Sequence, residues 1–214
     1  MMNLELLEMA SKLSGDKSYA KVAAAHANTT LKNHFRADNS SYHVVIYDEE
    51  TGAVRQKKTH QGFSDESLWS RGQSWGLYGY TMMYRYTHNA RYLKQARAIA
   101  GLLIPLLPAD GVPYWDFCAP NIPDEPRDAS AAAIMASALL ELSGYVRGEE
   151  AAMYRSAALH QIRSLASGAY LCAPGECHGF ILKHSTGHFM GNGEVDKPLS
   201  YADYYFLEAL TRAL

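Results

Sequence analysis

Three stretches of the chain repeat one pattern of apolar and polar positions. They are Leu6 to Ala23 (LLEMASKLSGDKSYAKVA), Thr81 to Ala96 (TMMYRYTHNARYLKQA) and Ala138 to Ala158 (ALLELSGYVRGEEAAMYRSAA). In each, an apolar helix end meets a short polar break, and Tyr-x-x-x-Ala then opens another helix. The matching pairs are Tyr19/Ala23, Tyr92/Ala96 and Tyr154/Ala158. Tyr and Ala at i and i+4 lie on one helix face, so each ring packs against the small residue one turn on. The pattern predicts helical hairpins in series, spaced roughly 60 to 70 residues apart. Such units bury their apolar stripes only against neighbours, as in solenoids or closed toroids. An all-α architecture with decorated loops is expected.

Two connections break the helical pattern. In SYHVVIYDEETGAVRQKKTHQG, alternating β-branched and aromatic residues on either side of DEETG predict a β-hairpin. With its turn near Thr51, His43 falls opposite the Lys58 to His60 end of the return strand, and His43, His60 and Gln61 gather at its base. Taken alone, a surface hairpin with incidental histidines is the plainer reading. The second connection, PADGVPYWDFCAPNIPDEPRD, carries five prolines and ends with Asp128 as N-cap of a helix starting SAAAIMASALLEL. Turn formation and capping account for Asp116, Asp124, Glu125 and Asp128, so their spacing marks no catalytic pair.

A chain of 214 residues with 48% hydrophobic content can bury a sizeable core as one domain, residues 1–214. Twenty Lys and Arg against twenty-two Asp and Glu leave a formal charge of -2, so no overall basic field recruits nucleic acid or an anionic membrane. No apolar run is long enough to span a bilayer, and MMNLELLEMASKL lacks the pattern of a signal peptide. The three cysteines form no CxxC pattern, so no zinc site is expected. Cys172 and Cys177 flank APGE; two ordinary thiols are the plainer reading, and a small closed loop is the alternative.

In DESLWSRGQSWGLYGY the helical period sets Arg71 beside Trp75, with Trp69 at the helix start. A guanidinium binds a carboxylate through two parallel hydrogen bonds, and tryptophan faces stack on the apolar side of sugar rings. The combination suits an acidic sugar. A buried arginine stacked on tryptophans for structure is the competing account.

Four separated runs, THQGFSDESLWSRGQSWGLYGYTMMYRYT, GVPYWDFCAPNIPDEPRDASAAAI, GFILKHSTGH and EVDKPLSYADYYFLEAL, together resemble the unsaturated glucuronyl hydrolases of glycoside hydrolase family 88. The resemblance covers essentially the whole chain, whereas SRGQ-x-W alone would also suit unsaturated rhamnogalacturonyl hydrolases. It implies an (α/α)6 barrel, no metal and no organic cofactor. The implied substrate is an oligosaccharide left by polysaccharide lyases, ending in a uronic acid with a C4=C5 enol ether. An aspartic acid protonates C4, water captures the charge at C5, and the hemiketal opens to release the remaining saccharide. His43 and Gln61 match residues assisting beside the reacting ring, with His60 next to them. Trp69, Arg71 and Trp75 match substrate contacts, and Ser185 and His188 lie in the loop that reads the sugar's decoration. Members selective for sulfated sugars show S-x-x-S-x-K there, where this chain has Ser185, His188 and Met190.

The family's catalytic aspartate stands in D-x-M-M-N. Because this chain begins MMNLELL, that acid would fall two positions before Met1, and a second family aspartate lies further upstream. The chain therefore reads as the C-terminal part of an incomplete barrel, inactive alone, with apolar helix faces free for self-association. Its compartment, cytoplasm or periplasm, is left open. A non-catalytic toroid that binds acidic sugars, or a helical-repeat scaffold, are the rival readings.

Overall fold

The computed structural model describes all 214 residues and has seven α-helices with one two-stranded sheet. The helices are α1 (Leu4–Ser14), α2 (Ser18–Asn33), α3 (Ser70–Thr87), α4 (Ala90–Leu103), α5 (Ala129–Ser143), α6 (Gly148–Leu165) and α7 (Ser200–Ala213). They form three hairpins and a seventh helix, and the three sequence repeats cross the three hairpin turns. Gly15 ends α1 with a left-handed φ of 77°, a conformation glycine adopts without a steric cost. Asn89 caps α4 by accepting the Arg91 N–H.

The helices stand in two rows. α1, α3, α5 and α7 pack side by side, and α2, α4 and α6 lie behind them, each touching the two helices of its own groove. Ion pairs cross the front row: Glu5 of α1 with Arg85 of α3, Arg85 with Glu141 of α5, and Glu141 with Arg212 of α7, at 2.8–3.0 Å. α5 sits at the centre of the core, and its run ASAAAIMASALL is buried on every side. Alanines let four neighbouring helices approach it closely, which explains a helix that is apolar all round. Tyr92 and Tyr154 are buried as their spacing predicted, but Tyr19 is exposed because no element of this chain covers that face of α2. No helix is long and apolar enough to cross a membrane.

The hairpin β1 (Val44–Tyr47) and β2 (Val54–Lys58) pairs Val44 with Lys58 and Tyr47 with Val54, so the turn falls where DEETG predicted it. Cys172 and Cys177 form a disulfide, which corrects their reading as two ordinary thiols. Pairing of Cys172 N–H with the Ile181 carbonyl folds the intervening loop back and brings the two thiols together.

Candidate active site

The functional side chains meet at the N-terminal ends of the front-row helices. The register of β1 and β2 places His43, just before one strand, beside His60, just after the other. His43 Nδ1 accepts the backbone N–H groups of His60 (3.1 Å) and Gln61 (3.2 Å). The imidazole of His43 leans on the Trp69 indole, with ring centroids 4.2 Å apart and planes 33° from parallel. Burial, and secondarily the positive charges of His60, Arg71, His188 and His34, push the His43 pKa down to about 4. The ring is neutral at physiological pH.

Trp69 is the N-cap residue of α3, and Trp75 follows within the helix, edge-on to Tyr205 at 5.2 Å. Gly72 lies between them, where a Cβ would stand 2.6 Å from Cε3 of Trp69. The bare backbone is what lets the indole lie flat against α3. His43, Gln61, Trp69 and Trp75 line one cavity of about 480 Å³, together with His34 and Met1. No carboxylate lines it.

Buried polar groups hold the segment that carries the cavity's rim. Asp116, fully buried, accepts the Phe63 N–H, the Ser67 hydroxyl and the Cys118 N–H. These bonds fix the turn after β2 that carries His60 and Gln61. Trp115 donates its indole N–H to Glu125 at 2.8 Å and stacks on Phe189 at 4.4 Å. Asp116 and Glu125 are thus anchors, and Asp128 caps α5 as its position suggested.

Of the two accounts of Arg71, the structure favours the buried arginine stacked on tryptophan. It is only 3% exposed and lies between the rings of Trp69 and Tyr201. One terminal nitrogen donates to Asp128 at 2.8 Å and to the Thr186 carbonyl, and the other donates to the Gly187 carbonyl. Its terminal nitrogens are engaged within the protein, so it ties the loop of residues 184–188 to α3 and α5 rather than presenting a free fork to a sugar. Gln61 reaches the same loop by donating from Nε2 to the Gly187 carbonyl at 2.8 Å.

Ser185 differs from expectation for a related reason. Its backbone pairs both ways with Lys197, which turns the side chain inward, fully buried and with its hydroxyl unpartnered. His188 does face the site: its ring lies 4.8 Å from that of His60, and its Nε2 is 2.8 Å from the His60 carbonyl. Six of the eight candidate residues therefore gather around the cavity and its rim, with Arg71 and Ser185 beneath them. No cluster of three or more His, Cys, Asp or Glu side chains is arranged to hold a metal ion.

Fold and site together define a helical-hairpin toroid whose aromatic-walled cavity suits a sugar ring. No protein-family model matches the chain. It is 53% identical over 214 residues to an unsaturated glucuronyl hydrolase of Formosa agariphila, covering 99% of this chain and 53% of that protein. A crystal structure of an unsaturated glucuronyl hydrolase specific for heparin superposes with a TM-score of 0.96 at 50% identity, covering 99% of this chain and 57% of that one. A variant of the unsaturated glucuronyl hydrolase from Streptococcus agalactiae, complexed with dGlcA-GalNAc6S, superposes with a TM-score of 0.87 at 32% identity over 98% of this chain and 56% of its own. Over its whole length the chain is similar to unsaturated glucuronyl hydrolases, and it spans about half the length of the relatives it matches.

Proposed function

We propose that this chain supplies the sugar-binding wall of an enzyme that hydrates the C4=C5 double bond of unsaturated glucuronic acid at the non-reducing end of lyase-generated oligosaccharides. The observation that carries the reading is the convergence of His43, Gln61, Trp69 and Trp75 on one cavity of sugar-ring size. Ordinary glycosidases flank the scissile bond with two carboxylates. This cavity offers none, and hydration of an enol ether needs only one acid, which protonates C4 before water adds at C5.

That acid we assign to the aspartate which the family motif places two positions ahead of Met1. Met1 itself lines the cavity, which supports the assignment. Gln61 and His43 then bear on the ring and the water, while Trp69 and Trp75 hold the sugar's apolar face. The lack of a lining carboxylate is also what a non-catalytic binder of acidic sugars would have. The exposed Leu13 and Val22 of the first hairpin, and Tyr204 and Leu207 of α7, favour self-association of the chain, to be read by light scattering against the 23.7 kDa monomer.

The deciding experiment follows the loss of ultraviolet absorbance of an unsaturated glucuronyl disaccharide, using the 214-residue chain and an N-terminally extended form that includes the motif aspartate. Turnover by the extended form alone, with saccharide binding by both, is expected. Turnover by both would place the acid within residues 1–214 and overturn the assignment. Binding without turnover in either form would favour the non-catalytic reading.

A further inference from the structure

The peptide group that joins His60 to Gln61 is held at both ends by imidazoles. Its N–H, that of Gln61, points to Nδ1 of His43, and its C=O, that of His60, faces Nε2 of His188. A backbone N–H can only donate, and here two of them, from His60 and Gln61, converge on the same ring nitrogen. Nδ1 of His43 must therefore offer its lone pair, and a neutral ring then carries its proton on Nε2. A backbone carbonyl can only accept, so Nε2 of His188 carries a proton as well. Both rings thus carry a proton on Nε2, dictated by opposite ends of the His60–Gln61 peptide group.

We infer that His43 is a fixed neutral imidazole whose Nε2–H is offered to an acceptor oxygen of the bound acidic sugar, and that His188, acting through the His60–Gln61 peptide group, is the positioning residue that keeps it so. His43 Nε2 has no hydrogen-bond partner within the protein, and its ring lines the cavity. With Nδ1 occupied, His43 takes no proton from water. A neutral imidazole N–H is far too weak an acid to protonate carbon, so the ring works only as a donor of a hydrogen bond.

The groups facing His43 keep it in this state. They are His60, His188 and His34, together with Arg71, whose charge is met by Asp128 on the side away from the ring. No carboxylate stands among them to favour an imidazolium. The orientation of His188 is set within its own loop, since its backbone pairs both ways with Gly193. Glycine at 191 leaves room for its ring, because a Cβ there would stand 2.6 Å from Nδ1 of His188.

The tautomer follows from the hydrogen bonds alone; only the identity of the acceptor rests on the function proposed above. Two-bond proton–nitrogen correlation spectra of the ¹⁵N-histidine-labelled chain read it directly. The expected pattern for His43 is an unprotonated, pyridine-type Nδ1 and a protonated, pyrrole-type Nε2, unchanged from about pH 5 to about pH 8. A protonated Nδ1, or a ring that titrates near the ordinary histidine value, overturns the inference. His188→Ala is expected to mix the tautomers of His43 and move its titration upward by at least about half a unit. His188→Gln, whose amide can still donate to the His60 carbonyl, should restore the original pattern. If His188→Ala leaves the His43 signals unmoved, the positioning role is refuted. Titration with an unsaturated glucuronyl disaccharide should shift the His43 Nε2 signal; an unmoved signal would refute the donor role and leave the tautomer standing.

Discussion

Removing the Arg71 side chain exposes the energetic logic of the site's foundation. Arg71 is 3% exposed and Asp128 fully buried, so Arg71→Ala strands a carboxylate with no countercharge and no access to water. Breaking a buried pair from one side costs about 3–5 kcal/mol. The Thr186 carbonyl loses a donor too, while Gly187 keeps the one from Gln61. The cap on α5 survives, because Asp128 Oδ1 still accepts from Ser130 and Ala131. Since whole domains are stable by only about 5–15 kcal/mol, the variant should lie near the edge of folding. Urea titration followed by tryptophan fluorescence measures the loss as a fall in midpoint. The control is Arg71→Met combined with Asp128→Asn: asparagine caps as well as aspartate, methionine fills the slot between Trp69 and Tyr201, and no charge is orphaned. That double variant should cost less than about 2 kcal/mol, because the stranded charge and not the lost contact dominates the single one. A single variant within about 1 kcal/mol of the parent, or a double variant worse than the single, would refute the reasoning.

Three further outcomes follow from the same geometry. Gly72→Ala should gain up to about 1 kcal/mol on helix propensity alone, yet its Cβ would press 2.6 Å from Trp69 Cε3. The expected result is a net loss of stability and at least about tenfold weaker saccharide binding by fluorescence titration, with a stability gain as the contrary finding. Asp116→Ala frees the Phe63 N–H, the Ser67 hydroxyl and the Cys118 N–H, and should cost at least about 2 kcal/mol while speeding hydrogen exchange at Phe63. The third is a pH effect. Because the His43 pKa falls from 6.5 to about 4 on folding, the unfolded chain takes up the proton first. The stability it contributes is complete above pH 6.5 and is lost as the pH falls toward about 4, by about 3 kcal/mol at most. Denaturation midpoints of the parent and His43→Gln across this window should converge at low pH, and parallel curves would contradict the buried neutral ring.

The helices and the hairpin were legible because their signals are local. Tyr-x-x-x-Ala reports a face one turn long, and it located the breaks that the structure places around Gly15, His88 and Gly144. It overreached only at Tyr19, where burial needs a neighbour that this chain does not contain. Strand alternation around DEETG was enough to bring His43 to His60. Residues distant in sequence carried no comparable signal. Arg71 and Asp128 are 57 positions apart, and nothing in either neighbourhood announces that the arginine pairs with the residue that caps α5. Ser185 was misjudged because a two-residue pairing with Lys197 decides which way its side chain turns, and such a bridge is too short to leave a periodicity.

The deeper reason lies in what holds the site together. Gln61 and Arg71 both end on the Gly187 carbonyl, His43 receives the amides of residues 60 and 61, and His188 meets the His60 carbonyl. Every one of these partners is a peptide group, and every residue except proline offers the same donor and acceptor. A site joined in this way leaves side-chain signatures for the groups that line the cavity and almost none for the groups that aim them. It also sets where substitutions should act. Changes at residues 60 and 187 matter chiefly if they move the backbone, whereas changes at 43, 61, 71 and 188 remove the side-chain half of a bond whose other half is fixed. The loop of residues 184–188 can thus alter its remaining side chains without disturbing the His43 ring, provided that its carbonyls and the His188 ring stay in place.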